Sequence, residues 1–554
     1  MEKPDAFILH NSSDLIGEEI TITSLGLSKK EETTIRSYKG IVFGISSAKH
    51  LDASQDQIEI TGYSPEWLLH GRKRTRAFVN NSLSEIIQRV MKPFPKPLLA
   101  IDIKAKYKNK IPYVVQYQET DFEFISRLAK RYGEWFYNNG KTICFGELPK
   151  SKTSLTFGVD LNHFAYDMRL SAVTQESIAY NSSTGKIVKE AFKPDKIKEK
   201  TDIYHKKAIM AGSKKFGKKG HVEITHLPLE EKGFEQLVKD AAELKGNADV
   251  VNMVRIKAES INASIEGGQK VKIFGLDKKK NKFSYGEYIV EKITHFFDDS
   301  YNYKNIMLLQ SAKTALPRFS DPSLIPLCHD LKKAKVTNIE DPEKLGRIKV
   351  KFSWMDKDGD TESPWIQMMR PYISEKGGIY FLPEIDTEVL VGFEGGNMER
   401  PYVYGSLYSK GSYKPDSSWS KENYFIRSKS GHTIHFADEQ GKQSITIYDS
   451  EKNNKIIVSA SDKRVVIRSE GDIEIKASGD LRLEAGNKVV LKGTSGVEIG
   501  SGADINLNAN ANIAGEAKAS LKLSAVELKA EGQGTAEISS SGITTVKGSM
   551  VKIN

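Results

Sequence analysis

The sequence predicts a mainly β protein with a few helices, a small barrel in its middle and an intertwined trimeric β-helix at its C-terminus. Three observations lead to this prediction. Apolar and polar residues alternate over much of the first two-thirds of the chain, which is typical of β-strands. Residues 449–554 contain no Phe, Trp, Tyr, Pro, His or Cys. Within them apolar pairs recur every eight positions, and a fixed period of this kind indicates a solenoid-like fold.

Composition excludes several classes of protein. The 554 residues suffice for three to five domains, and 39% of them are hydrophobic, so wholesale disorder is excluded. No stretch approaches the roughly 18 apolar residues of a membrane-spanning helix. The N-terminus lacks the basic and apolar regions of a secretory signal peptide. The two cysteines, Cys144 and Cys328, cannot form a disulfide framework or a multi-cysteine metal site.

Most of the excess positive charge lies in one segment. Residues 186–219 contain 12 lysines and 4 acidic residues, a local charge of +8 in a chain of net charge +10. Aromatic residues are not interleaved with these lysines as nucleic-acid-binding platforms require, so we do not predict binding to nucleic acid. We expect a solvated, flexible surface loop, whose role the sequence leaves open.

The first two-thirds of the chain combine strands with three predicted helices. Residues 1–65 alternate as the strands of a small barrel or sandwich. Two capping boxes mark helix starts, Ser82 with Glu85 and Thr120 with Glu123. Pro93 and Gly133 are expected to end these two helices. A third helix is expected over residues 228–244, where apolar residues follow helical spacing.

Five short strands follow in residues 334–412. Their number and spacing suit an oligonucleotide/oligosaccharide-binding (OB) barrel. Turns are predicted at Asp356–Asp360 and at Gly377–Gly378. Asp356–Asp360 begins a stretch that resembles a calcium loop, but its glycine is misplaced and Gln367 replaces the twelfth-position glutamate. We therefore expect a polar hairpin turn there.

The eight-residue repeat predicts a needle built from three chains. Each repeat offers only about two side chains on one face of a short strand, too few for one chain to enclose a core. Three copies are the smallest closed number, and cyclic symmetry leaves no free strand edge. A single-chain β-solenoid and a disordered tail are the alternatives. The predicted trimer core comprises Val465, Ile467, Ile473, Ile475, Leu481, Leu483, Val489, Leu491, Val497, Ile499, Ile505, Leu507, Leu521 and Leu523.

Two irregularities interrupt this repeat. Ile513 and Gly515 form a weak pair, because glycine offers no side chain to the core. After Leu523 the register slips, since the pair Val526 and Leu528 arrives early. We expect a bulge or a taper there.

Motifs for catalysis or cofactor binding are not found. Gly212, Gly217 and Lys218 match part of a phosphate-binding loop, but Lys219 stands where serine or threonine is needed. His432 and His435 could meet their copies around a threefold axis and hold a metal, although surface or packed histidines are the simpler interpretation. We predict no catalytic residue, no cofactor and no metal site, and the chain is not expected to be an enzyme.

Several motifs in order resemble one known family. They are YQETDFEFISRLAKRYGEWFY, DPEKLGRIKVKFSWMD, SPWIQMM, GGIYFLPEIDTEVLVGFEGGNMERPYVYGSLY and the eight-residue repeats. Together they resemble VgrG, the valine–glycine repeat family of type VI secretion spikes, over essentially the full length. The resemblance implies four regions: a phage-hub-like domain of β-barrels with inserted helices (1–325), an OB-fold domain (326–412), a β-strand connector (413–464) and a triple-stranded β-helix needle (465–554).

The resemblance also implies a function and its partners. It implies a homotrimeric, membrane-puncturing spike on a contractile apparatus, assembled in the cytoplasm and then injected into a target cell without a signal peptide. The implied partners are a hexameric tube protein, baseplate components, non-covalently loaded effectors and a conical PAAR-like tip protein. The tip protein would contact Val551, Lys552, Ile553 and Asn554.

The sequence departs from this family in two respects. Strict valine–x–glycine repeats are scarce, because Ile or Leu often replaces Val and the glycine positions drift. Phage spikes of this type often carry a lysozyme domain between barrel and needle, but residues 412–464 are too few for one. An extracellular injection particle or a phage tail spike remains an alternative. A glycan-binding or glycan-degrading tail protein is a further one.

Overall fold

The computed structural model describes residues 12–27, 32–48, 57–173, 175–198, 201–217, 220–227, 233–298, 302–317, 325–355, 359–410 and 420–553. The chain divides into two compact units, residues 1–419 and 420–554. Strands predominate in the described residues, so the prediction of a mainly β fold with a few helices is confirmed. No helix in the described ranges is long and apolar enough to cross a bilayer.

The first unit starts with a three-stranded antiparallel sheet, in which the second strand along the chain lies between the first and the third. The strands are β1 (Glu19–Leu27), β2 (Glu32–Ala48) and β3 (Gln57–Tyr63). A short 3-10 turn, Pro65–His70, follows, and the Trp67 ring stacks on Tyr63 at 4.2 Å between centroids. The strands predicted for residues 1–65 are therefore present, and the described ones form one sheet.

Two helices begin at the predicted capping boxes. They are α1 (Leu83–Met91) and α2 (Asp121–Tyr132), and both boxes are complete. Gly133 ends α2 with a φ of +68°, a conformation that suits glycine. The helices pack with two small sheets around one apolar core. The strands of these sheets are β4 (Arg74–Ser82), β5 (Ile101–Ile103), β6 (Lys110–Glu119), β7 (Trp135–Asn138) and β8 (Ile143–Gly146).

A six-stranded sheet carries the next core. Its strands, in spatial order, are β10 (Leu161–Met168), β14 (Val254–Ser260), β17 (Tyr303–Ser311), β16 (Lys282–Phe297), β15 (Lys270–Leu276) and β9 (Lys152–Thr156). The third predicted helix is present, but it spans Phe234–Asn252 and not 228–244. Residues 228–232 lie outside the described ranges, and buried Ala248 and Val250 extend the apolar face beyond the expected end.

The lysine-rich segment has regular structure, so the flexible-loop prediction is wrong for its described part. Strand β11 (Gln175–Asn181) pairs with β12 (Lys186–Ala191) and β13 (Gly220–Glu223). The helices α3 (Pro194–Lys198) and α4 (Ile203–Lys215) lie between β12 and β13, and Phe234–Asn252 is α5. Asp202 caps α4 through the amides of Tyr204 and His205. The lysine count concealed the buried stripe of His205, Ala208, Ile209 and Gly212, whose spacing follows one helix face.

The predicted barrel region contains a four-stranded sheet in the order β19-β18-β20-β21. The strands are β18 (Lys332–Asn338), β19 (Lys349–Phe352), β20 (Glu388–Phe393) and β21 (Pro401–Leu407). The predicted strand SPWIQMMR contributes isolated bridges, Ile366 to Ile348 and Met368 to Val403. It therefore closes one side of the barrel core without a continuous ladder.

The second unit begins with a five-stranded antiparallel meander, in which each strand pairs with the next. Its strands are β22 (Asn423–Arg427), β23 (Thr433–Ala437), β24 (Ser444–Tyr448), β25 (Lys455–Ser459) and β26 (Arg464–Arg468). From residue 469 to 553 the chain makes no intrachain ladder in the described structure. Instead it bends at regular intervals between extended stretches.

Candidate functional site

One face of the meander carries two apolar columns that run across all five strands. The pairing register places the side chains opposite one another in series. The first column is Tyr424, Phe436, Ile445, Val458 and Val465, and the second is Ile426, Ile434, Ile447, Ile456 and Ile467. All ten side chains are exposed in the single chain.

The opposite face of the meander is largely polar. Alternate residues point to opposite faces of a strand, so this face holds His435, Thr446, Lys455, Arg464 and Arg468, with Phe425, Ile457 and Val466 as its apolar members. His435 Nε2 lies 2.8 Å from Asn423 Oδ1 on the same face. Since the polar face suits water, the apolar columns are the face that requires a partner.

The columns continue into the eight-residue repeat. Val465 and Ile467 belong to both features, because β26 is the last strand of the meander and the first predicted rung. All 14 predicted core residues are between 53% and 73% exposed in the single chain. The described chain therefore offers these side chains no intrachain core, and whether they meet around a trimer axis stays a prediction.

The bends confirm the period and locate the register slip. The chain bends at residues 470, 478, 486, 494, 502, 510, 518 and 526, then at 533, 541 and 549. Seven residues separate the bends at 526 and 533, whereas eight separate all the others. Val526 lies in a bend and is fully exposed, so its pairing with Leu528 was wrong. The slip is a single shortened repeat.

The predicted tip contacts lie at the end of the described chain. Val551, Lys552 and Ile553 are exposed, and Asn554 lies outside the described residues. His432 lies in the turn before β23, and its backbone amide donates to Ser428 Oγ at 3.1 Å. Within the described ranges, no three His, Cys, Asp or Glu side chains are grouped so that they could hold a metal ion.

A buried ion network joins the barrel to the core around α1 and α2 in the first unit. Glu399 lies between β20 and β21 and is fully buried. Its carboxylate accepts from Arg131 Nη1 at 2.6 Å and from Arg127 Nη1 at 3.2 Å, both on α2. Arg127 also donates to both carboxylate oxygens of Glu119, at 2.7 and 2.8 Å. One barrel carboxylate therefore neutralises positive charge that α2 buries.

The electrostatics of this junction favour charge on Arg131 and not on His226. Burial opposes the charge of Arg131, but its interactions with Glu399 and Tyr132 outweigh burial and raise the pKa of Arg131. Burial, followed by the charges of Arg131 and Lys245, lowers the pKa of His226 to about 3. His226 is therefore neutral at physiological pH and adds no positive charge beside Arg131.

The residues on either side of Glu399 attach the barrel to the β11–β13 region of the first unit. Asn397 Nδ2 donates to the Thr225 carbonyl at 2.9 Å, and Arg400 Nη2 donates to the Tyr180 carbonyl at 2.8 Å. A second attachment involves Asp360, which accepts from the Val79 amide and from Arg89 Nη1. Sequence patterns could not reveal these pairs, because the partners are more than 170 positions apart.

Comparison with known proteins identifies the family. The model of the phage tail baseplate hub (GPD) matches residues 10–301. The model of the type VI secretion system/phage-baseplate injector OB domain matches residues 332–408.

Two curated relatives come from Pseudomonas aeruginosa. The type VI secretion system spike protein VgrG1b is 28% identical over 127 residues, which cover 21% of this chain and 17% of that protein. VgrG1a is 27% identical over 127 residues, which cover 21% of this chain and 20% of that protein. The chain thus spans about a fifth of the length of the curated relatives it matches.

A solved structure shows the same fold. The half-lidded Francisella PdpA–VgrG complex contains a chain of 9% identity, and the match covers 84% of this chain and 80% of that one with a TM-score of 0.52. At this identity the similarity concerns the fold alone. The assignment to a family therefore rests on the two family models. The hub model covers more than half of the chain, and the injector OB model matches the region that follows it. This chain belongs to the phage tail baseplate hub family and is related to the VgrG spike proteins.

Proposed function

We propose that the chain forms a homotrimeric, membrane-puncturing spike at the tip of a contractile injection apparatus of the type VI secretion kind. One observation carries the proposal: two apolar columns cross the meander and lead into eleven regularly spaced bends, all without an intrachain core. Each predicted core side chain would contribute roughly 1.5–3 kcal/mol on burial. A second and a third copy of the same stripe supply that burial with closed symmetry.

The mechanism of such a spike is mechanical, and no catalytic step is proposed. A needle driven by a contracting sheath carries compressive load, and closed strand ladders without free edges resist both unfolding and aggregation. The Glu399 network would hold the barrel against the hub while that load is applied. Because its charges are buried and mutually paired, separating them costs several kcal/mol.

The proposal includes the partners that the family resemblance implies. The hub would widen the trimer to meet a hexameric tube protein and the baseplate. Val551–Ile553 would contact a PAAR-like tip protein, and effectors would travel non-covalently. The Francisella complex, in which a VgrG chain is bound to PdpA, supports the idea that proteins of this fold assemble with partners. The spike would assemble in the cytoplasm and leave it by injection.

Electron microscopy of the purified full chain tests the architecture. We expect particles with a compact head and one thin rod, because only the second unit carries the repeat. Small single beads without a rod, at micromolar protein concentration, would contradict the proposal.

An extracellular injection particle or a phage tail is a second candidate, since the hub family model is itself named after phage tails. The neighbouring genes decide between these functions. Genes for a membrane-anchoring complex favour type VI secretion, and tail-fibre genes favour the particle or phage. Hydrolysis of peptidoglycan by the purified chain would instead favour a glycan-degrading tail protein.

A further inference from the structure

An open cleft of about 910 Å³ lies within the first unit. One wall is formed by α2 and by all of β7. The other wall is formed by residues 266–268 and by β16 between Val290 and His295. The volume lies in the range of cavities that bind ligands in other proteins. We call this cavity the β7 cleft.

Strand β7 presents a free edge to this cleft. It is the last strand of its sheet, which has the order β5-β8-β7, and no other described strand pairs with it. All four residues of β7 line the cleft, whereas none of β8 does. The cleft therefore borders the edge of β7 that lies opposite β8.

Two hydrogen bonds fix the phase of the ladder between β7 and β8. The Asn139 amide donates to the Thr142 carbonyl at 3.2 Å, across the turn that joins the two strands. The Ile143 amide points away from β7 and donates to the Ala100 carbonyl at 3.0 Å. Hydrogen-bonded and non-hydrogen-bonded pairs alternate along an antiparallel ladder, so the hydrogen-bonded positions of β7 are the odd-numbered ones.

The unpaired backbone groups of β7 follow from this phase. Phe136 and Asn138 occupy the non-hydrogen-bonded positions opposite Phe145 and Ile143. Their amide and carbonyl groups therefore point to the free edge, and among the described residues these groups have no hydrogen-bond partner. Such an edge is a template on which another strand can pair.

The opposite wall contains a second unpaired edge, on β16. β15 and the residues just before it pair with β16 only as far as Val290. From Lys292 to Phe297, β16 pairs with β17 on one side and with no described strand on the other. β17 does not line the cleft, so the cleft borders the unpaired side of β16 as well.

Contacts across the cleft hold its walls in place. Tyr38 Oη on β2 lies 2.8 Å from His295 Nε2. The next residue, Lys39, donates its amide to the Gly140 carbonyl at 3.2 Å. The Tyr137 ring also lies against Gly268. A ligand therefore meets a formed cleft, with little ordering entropy to offset on this side.

The chemistry of the lining favours an extended peptide. Its ionisable residues are nearly balanced, with five glutamates against three lysines and one arginine, so net charge selects neither a polyanion nor a polycation. The unmatched groups are the backbone donors and acceptors of the strand edges, which another peptide backbone matches. Half-buried aromatic rings can receive apolar side chains of such a segment, and they belong to Tyr38, Phe122, Trp135, Phe136 and Tyr137.

We propose that the β7 cleft binds an extended peptide segment of a second protein, which adds as a strand to the free edge of β7. Every second side chain of that segment would lie against the aromatic rings, since successive side chains of a strand point to opposite faces. The inference rests on the proposed function for its role and deepens it, because such a segment gives a cargo protein a non-covalent attachment to the spike.

Binding of a defined peptide to the full chain tests the site. The probe is a fluorescein-labelled peptide of alternating threonine and valine with a lysine at each end. Its matched control carries N-methyl groups on two consecutive central amides, so that each edge of the peptide loses a donor. We expect saturable binding by fluorescence anisotropy, weakened about tenfold or more by N-methylation. Hydrogen exchange of residues 135–139 should slow when the probe is bound, because Phe136 and Asn138 gain partners.

Gly267→Trp fills the cleft in the protein itself. Gly267 lines the cleft, and a Cβ atom there meets no atom within 4 Å. Gly405→Trp on β21 is the control, because its Cβ atom also meets open space and it does not line the cleft. We expect Gly267→Trp to weaken probe binding about tenfold or more and Gly405→Trp to leave it unchanged. Equal affinities of the two variants, or of the two peptides, overturn the proposal.

Native mass spectrometry of the same samples separates this proposal from the spike. A trimer that does not bind the probe at about 1 mM overturns the peptide site and leaves the spike standing, and a cleft filled by a neighbouring copy gives this result. A monomeric chain that binds the probe overturns the spike and the role in cargo attachment, but it leaves the peptide site standing.

Discussion

Leu491→Asp should prevent trimer formation, whereas Val490→Asp should leave the trimer intact. Val489, Val490 and Leu491 are consecutive in an extended repeat, so Leu491 shares a face with Val489 and Val490 points the other way. In the proposed needle, Leu491→Asp would bring three carboxylates together near the axis. Their desolvation and mutual repulsion add to the roughly 2–5 kcal/mol lost from each chain by removing a buried leucine side chain. Native mass spectrometry of the full-length variants measures the outcome.

Val490→Asp is a close control, because it adds the same charge one residue away to a residue that is equally apolar and exposed in the single chain. A trimer of Leu491→Asp as stable as the unsubstituted one would show that the inward face is assigned wrongly. Dissociation of both variants would show that this part of the needle has no distinct inward face.

Glu399→Gln should destabilise the first unit by about 3–5 kcal/mol, the usual cost of breaking a buried ion pair. Glutamine has nearly the same shape as glutamate, but it carries no charge. The substitution therefore leaves Arg131 without its neutralising carboxylate and removes one of the two carboxylates that pair with Arg127. All five tryptophans lie at positions 67 to 419. Denaturant unfolding followed by tryptophan fluorescence therefore reports this unit alone.

Glu343→Gln provides the comparison. Glu343 also pairs with an arginine, Arg347, but it is about half exposed and Arg347 keeps its stronger partner Asp341. We expect a loss of less than about 1 kcal/mol for this partly exposed pair. If Glu399→Gln costs no more than Glu343→Gln, the junction does not depend on the buried carboxylate.

The sequence predicted correctly those features whose interacting residues lie close together along the chain. The capping boxes at Ser82 and Thr120 were predictable because both hydrogen-bonding partners lie within one helical turn. The eight-residue period was predictable because the same spacing returns many times. Its single shortened repeat was placed too early, since apolar residues alone suggested that Val526 belongs to a strand, whereas it lies in a bend.

Features that depend on distant partners were missed. Glu399 was noticed only as part of a family motif, and its arginines lie 268 and 272 positions away. Residues 371–385 appeared in the sequence as a turn at Gly377–Gly378, and only the structure shows that the apolar side chains around this turn are exposed. In residues 186–219 the charge suggested a loop, while the structure shows β12, α3 and α4, because Asp202 and a buried stripe specify the longer helix.

The mass of the purified full chain in dilute solution tests the central claim most directly. The apolar columns and the eight-residue repeat should find cover only in other copies, so we expect a single species of three chains, about 186 kDa from a chain of 61.9 kDa. A folded species of one chain, stable at micromolar concentration, would contradict the account.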